Sequence, residues 1–388
     1  MTCHRRTAAR LLAPAAALLC LAAPLAAQEA RYDGRTLAEW KRWMMDFDAA
    51  ASESAAAAPG LAQITADPAV DAITRRQAAI ALGRLGPAAR VALPTLVRLL
   101  NGPDDASAWN AAKAMAHMGP AAKEAAPALV QLLRDQQRAM TLRQMSLEAL
   151  SQIGGAHPDA IAAICDQVQR GPWSAAEGEL GEYHLRQLAI EAIGYVGPDA
   201  AVAAPLLARA LGSRRESEAS RRASAVSLGR MKAQAQIAAQ PLAEALVLDD
   251  SEAVRDAAAI ALAAVDVPQR RWLLRLFTHE DAGVRWRLAA ALGDVESLSP
   301  AERLALKQAL SDANELVRLS AARSLWKRTQ NADDLQATVV GLLACEDRDI
   351  RSQAVDLLEA FGSDAPGLIA RLEQLRRDDP RDFVRKAV

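Results

Sequence analysis

A twelve-residue pattern, seen in Val284–Val295 as V-R-W-R-L-A-A-A-L-G-D-V, recurs along most of the 388-residue chain. Its apolar positions, Val284, Leu288, Ala291, Leu292 and Val295, follow the spacing i, i+4, i+7, i+8, i+11, which is one face of a 3.6-period helix. An Arg follows the first apolar position, and a Gly follows the Leu of the last full turn. Aligned on that Arg, copies stand at Arg75, Ala108 (where the Arg is missing), Arg143, Arg186, Arg221, Arg255, Arg285, Arg318, Arg351 and Arg385. The intervals are 33, 35, 43, 35, 34, 30, 33, 33 and 34 residues. Self-similarity at such a period decides the architecture before any propensity argument is needed. The poorest copy is at Arg221, with Ser220, Ser224 and Ser227 at face positions.

A second element precedes each copy. Gly86–Leu100 reads G-P-A-A-R-V-A-L-P-T-L-V-R-L-L, and Gly119–Leu133 is identical to it at ten of fifteen positions. Gly-Pro ends one helix, because Gly tolerates a left-handed C-terminal turn and Pro cannot continue the ladder. The second proline of each copy (Pro94, Pro127, Pro205, Pro241) fits the first turn of a new helix, where its missing N–H costs nothing. Each unit is therefore a helix, a turn and a helix, with small alanines on the facing surfaces. One such pair is too short to bury its apolar stripe alone, but a stack of pairs can. The expected fold is all-α, a solenoid of about ten antiparallel helix pairs.

The period and the V-R-x-x-A-A-x-A-L-G signature resemble HEAT repeats of the short variety found in phycobilisome lyases. The resemblance runs from about Thr36 to the C-terminus. It is specific for the fold and nearly silent about function.

Residues 1–27 have the pattern of an export signal. Arg5, Arg6 and Arg10 give a positive start, Leu11–Leu21 an apolar core, and Pro-Leu-Ala-Ala before Gln28 a small-residue cleavage site. Cys20 offers a lipid-anchor alternative, although Leu19 stands where a small residue is expected. Arg5-Arg6 offers twin-arginine export, although Ala8 replaces the usual bulky apolar residue. The organisation expected is a signal peptide at 1–27, capping helices and a degenerate first repeat at 28–70, and the solenoid at 71–388. The expected location is periplasmic or extracellular. No later stretch reads as long and apolar enough to span a membrane.

Loss of three leader arginines moves the formal net charge from −1 to −4. A mildly acidic chain is a poor candidate for nucleic acid, which calls for a basic stripe. Aromatics make up only 4% of the residues, which suits tightly apposed helices better than a ligand-holding core. Beyond the leader only Cys165 and Cys345 remain. They lie five repeats apart, roughly 50 Å at about 10 Å per layer, so two unpaired and largely buried thiols are expected.

Along the chain, Thr36 with Glu39 forms a capping box that starts a helix at Leu37. Trp40 and Trp43 are placed to cover the open end of the first repeat. Ala49–Asp67 reads as a degenerate hairpin broken at Pro59-Gly60. The 43-residue interval contains an insertion near 171–183. Its Trp173, Glu177, Glu179, Glu182 and Tyr183, with the adjoining His184, form a candidate partner-contact loop, since insertions in repeat proteins map to loops. No known metal motif has that spacing. Acids precede the Arg by six residues in Asp249–Arg255, Asp312–Arg318 and Asp379–Arg385, and by four in Asp281–Arg285 and Asp347–Arg351. In HEAT proteins the six-residue pair often bonds across neighbouring repeats, so the resemblance implies a structural role. Ser299-Pro300-x-Glu302 is another helix start. Residues 379–388 open a further helix, which either caps the last apolar layer, the common solution in solenoids, or pairs with another molecule.

The four histidines beyond the leader, His117, His157, His184 and His279, fall in different repeats. The chain has no H-E-x-x-H, G-x-S-x-G, P-loop or C-x-x-C. No catalytic, cofactor or metal residue is expected. The leading expectation is an exported, non-catalytic scaffold that binds a protein or peptide along a concave row of second helices. The resemblance also implies two alternatives. One is an enzyme or accessory like the bilin lyases, against which export argues. The other is nucleic-acid binding like the HEAT-like DNA glycosylases, which conflicts with charge and leader.

Overall fold

A computed structural model describes residues 30–46, 54–171, 180–265, 270–362 and 368–378, together with 382 and 385. The leader and most of the last copy, around Arg385, lie outside the described residues.

The described residues contain nine helices built on the signature: Ala72–Leu85, Asp105–Met118, Met140–Ile153, Leu180–Val196, Glu218–Arg230, Glu252–Val265, Ala282–Leu292, Glu315–Thr329 and Arg348–Phe361. We call these the signature helices. Each follows a leading helix of its own repeat, for example Leu93–Leu100, Ala126–Arg134, Pro158–Arg170 and Ala204–Gly212. Each signature helix packs on the next, and the extensive contacts join elements of the same or adjoining repeats. This is an all-α solenoid. Its core is one continuous cluster running from Tyr32 to Phe361, and the face residues expected from the 3.6 period fill it.

The motif glycine has a packing reason. A Cβ on Gly194 would lie 2.9 Å from the Cα of Ser227, and one on Gly229 would lie 3.0 Å from the Cα of Ala261. The signature helices thus touch backbone to backbone at this position, which only a missing side chain permits. The serines of the Arg221 copy keep this close packing and satisfy their own polarity. Ser224 Oγ donates to Ser220 O at 2.8 Å, and Ser227 Oγ donates to Ile190 O of the preceding repeat at 2.9 Å. Ser324 Oγ repeats the cross-repeat bond to Ala289 O at 2.7 Å.

The expected Gly-Pro turns are wound as 3-10 helix at Gly86–Ala92, Gly119–Ala125 and Gly197–Ala203. Gly86 has φ 55° and ψ −130°, a region that residues with a Cβ rarely adopt. The apolar runs Ala72–Leu100 and Leu180–Gly212 reach the length and mean hydropathy (1.2) of a membrane span, which the sequence reading did not anticipate. Each is two helices joined through such a turn, and 50% of its most apolar window is buried inside the molecule.

At the N-terminal end the capping box is present, with Thr36 and Glu39 bonded to each other's backbone N–H. Trp40 is 1% exposed and donates its indole N–H to Tyr32 O at 2.8 Å. Two features depart from expectation. Arg31–Tyr32 and Arg35–Thr36 form a minimal antiparallel ribbon around Asp33-Gly34, and that Asp-Gly pair was the signal for it. Pro59-Gly60 does not break the chain, since Ser54–Ala66 is one continuous helix. Pro59 loses only the bond to the carbonyl of exposed Ala55, which faces water. Burial of Ala57, Ala58, Leu61 and Ile64 outweighs that loss.

Candidate partner-binding groove

The repeated arginines form a ladder inside the stack. Arg143 Nε donates to Leu133 O at 2.9 Å, and Arg186 Nε donates to Val168 O at 2.8 Å. Both acceptors are carbonyls near the end of a leading helix, where cations are favoured. The guanidinium then reaches the following repeat. Arg143 meets Glu182, with Nη2–Oε2 at 3.2 Å and a shorter Nη1–Oε1 bond. Arg221 meets Asp249 at 2.7 and 2.9 Å, and Arg285 meets Asp312 at 2.8 Å through both nitrogens.

The six-residue pairs therefore work in relay. Asp249 and Asp312 bond the Arg of the preceding repeat, while Arg255 and Arg318, six residues on, donate to the Asp249 and Asp312 carbonyls at 2.7 Å. The acids four residues ahead do something else: Asp281 and Asp347 are helix N-caps. Asp379 lies outside the described residues. Burial of Asp249 opposes its ionisation, but the Arg221 and Ser251 bonds hold its carboxyl below the usual range. The Arg285 bonds do the same for Asp312.

With these charges turned inward, the open face of the signature helices is left to the positions five and nine residues after each Arg and, except at buried Leu319, to the position one residue after it. Three recesses lie along it. The first, about 550 Å³, is bounded by Trp109, Glu148, Glu191 and Tyr195 on three successive signature helices. The second, about 410 Å³, is lined by Lys232, Ile260, Ala264, Asp294 and Glu296. The third, about 500 Å³, is lined by Asp294, Arg323, Trp326, Lys327 and Asp356.

A family model for HEAT repeats matches residues 58–141, 93–182, 179–263 and 303–388. The chain is a HEAT-repeat protein. No curated protein shows significant similarity to it. Among solved structures, human deoxyhypusine hydroxylase in complex with glycerol is 20% identical, with 72% of this chain and 98% of that one covered and a TM-score of 0.30. Kap121p bound to Nup53p is 16% identical, with 85% of this chain and 41% of that one covered and a TM-score of 0.43. Similarity at this level carries nothing about activity.

In this HEAT-repeat protein the expected contact loop is only partly in view. Trp173, Glu177 and Glu179 lie outside the described residues. Glu182 is a rung of the ladder. Tyr183 is buried, and its hydroxyl accepts from Gln187 Nε2 at 2.9 Å. His184 is exposed, with Nδ1 3.2 Å from Gln187 Oε1. His157 and His279 each accept a backbone N–H two residues on, from Asp159 at 3.2 Å and Asp281 at 3.1 Å. His117 is exposed beside Gly83. No three His, Cys, Asp or Glu among the described residues are grouped to hold a metal. Cys165 and Cys345 are both free thiols. Burial raises both, Cys165 to about 11.

The groove residues were not singled out from the sequence. Their signal was a fixed offset from each signature Arg, visible only once the ladder assigns the Arg itself to the interior.

Proposed function

We propose that this HEAT-repeat protein is an exported, non-catalytic scaffold that holds a protein partner along the open face of its signature helices. The carrying observation is the row of recesses, each spanning successive repeats and lined by aliphatic and charged side chains, with aromatic rings added in the first and third. A face built this way offers an extended partner many modest contacts in series. The non-catalytic part of the reading is supported by the sequence, which carries no H-E-x-x-H, G-x-S-x-G, P-loop or C-x-x-C. The pattern of residues 1–27 supports export, with cleavage after Ala27.

The test is in-cell crosslinking from a photoreactive residue at Gln152, which lines the first recess in the register of Tyr195, against one at exposed Arg90. Crosslinking from Gln152 to a defined envelope protein, by a chain whose N-terminus is Gln28, supports the proposal. Crosslinking from neither position, or a retained leader in the cytoplasm, overturns it.

A further inference from the structure

The recess between Trp109 and Tyr195 differs from the rest of the face in its charge. Glu148 and Glu191 occupy the same register on adjoining signature helices, both exposed. Neither has a cation within 4.0 Å among the described residues, whereas most other acids near this face are paired. Asp256 is bonded to Arg287 at 2.5 Å, and Asp294 to Lys327 at 2.5 Å. The two cations flanking the recess sit over aromatic rings: Lys113 Nζ is 4.9 Å from the Trp109 ring centre, and Arg230 Cζ is 4.6 Å from that of Tyr195.

Beside Trp109, Asn110 is 8% exposed, and its Oδ1 is buried with no hydrogen-bond partner. It stands in the register of Met145 and Leu188, which line the recess. A buried acceptor left unpaired is costly.

We infer, resting on the scaffold reading above, that this recess takes an extended basic segment of the partner protein, with two Lys or Arg three residues apart. Neighbouring signature helices lie about 10 Å apart. In a polyproline-II chain, residues i and i+3 share a face and lie about 9 Å apart, so two such cations match the two carboxylates. Their aliphatic stems cover Leu188 and Met145, and the Trp109 and Tyr195 rings close the ends.

The test uses three labelled octapeptides in a Pro/Ser background: one with Lys-x-x-Lys, one with adjacent lysines and one with Glu-x-x-Glu. They are titrated by anisotropy at low salt against the full chain. Lys-x-x-Lys binds tightest, adjacent lysines bind more weakly, and the acidic peptide does not bind. The double variant E148Q/E191Q weakens Lys-x-x-Lys by about tenfold, with an unchanged helical circular dichroism signal. E244Q, on a leading helix, leaves it unaltered. Equal binding of the three peptides, no binding, or no effect of E148Q/E191Q overturns the inference. If crosslinking from Gln152 still captures a partner in E148Q/E191Q, the scaffold reading stands and this assignment alone fails.

Discussion

Arg186 and Glu216, from adjoining repeats, form a bidentate ion pair sealed inside the stack, with bonds of 2.7 and 2.5 Å and side chains 1% and 0% exposed. Arg186 Nε is held by Val168 O, so one guanidinium joins its own leading helix to the turn that opens the next signature helix. Removing one partner strands a charge in a dry interface. Glu216→Ala is expected to destabilise the protein by about 3–5 kcal/mol. Replacing both residues by leucine should lose much less. Urea unfolding of the single and double variants checks this, and a loss under about 1 kcal/mol for Glu216→Ala contradicts it.

The ladder is incomplete at Arg255. The position six residues before Arg285 holds His279 where the neighbouring repeats hold Asp249 and Asp312. His279 reproduces their turn bond, accepting the N–H of Asp281, but supplies no anion. His279→Asp is expected to give Arg255 its missing rung and add about 0.5–1 kcal/mol of stability. A midpoint that stays put or falls shows that Arg255 cannot reach across this shorter repeat.

The ladder carboxylates also set the acid limit. Asp312 and Asp249 have folded pKa values below their ordinary range, so the unfolded chain binds more protons and stability rises with pH. Their contribution is complete above about pH 4, the unfolded value. It is lost as pH falls through the folded values. Asp71, capping Thr74 and pushed down to about 2, acts in the same direction. Asp312→Asn should therefore be less stable than the parent at pH 7, with the gap closing below about pH 4. A gap constant from pH 7 to pH 2 refutes the linkage.

The Trp40 ring packs directly against Gly60. A Cβ there would stand 2.1 Å from the ring, so Gly60→Ala must push the indole off the first repeat. A destabilisation of about 1–3 kcal/mol is expected. The protected indole N–H of Trp40, bonded to Tyr32 O, should exchange faster. Hydrogen exchange followed by NMR reads this directly, and an unchanged Trp40 signal sinks the assignment of this ring as the end cap.

The two thiols should be poorly reactive in the native state. Burial keeps Cys165 protonated well above neutral pH, with its pKa raised to about 11, and raises Cys345 as well. Ellman's reagent at pH 8 should label the chain from Gln28 onward slowly when folded, and at two sites once denatured. Rapid labelling of the native chain would contradict this, and fewer than two sites after denaturation would point to a disulfide.

The amino-acid sequence by itself determined the stacking. Periodicity of 3.6 over positions such as Val284, Leu288 and Leu292 is a local property, and thirty-odd residues between copies leave room only for a helix pair. Caps at Thr36 and Ser299 were equally legible, because a capping box is written within four residues. What joins one repeat to the next was not. Arg186 finds Glu216 while Arg255 meets only Glu252 of its own helix and no acid of the following repeat, and this follows from the loop before the next helix, not from the motif containing the Arg. The continuity of Ser54–Ala66 through Pro59-Gly60 was likewise decided by burial against the next repeat and by the Trp40 ring over Gly60. Only the tertiary structure, by turning the signature arginines inward, left Glu148 and Glu191 facing outward. Side-chain direction across a stack depends on both neighbours, and one copy of the pattern cannot contain that information.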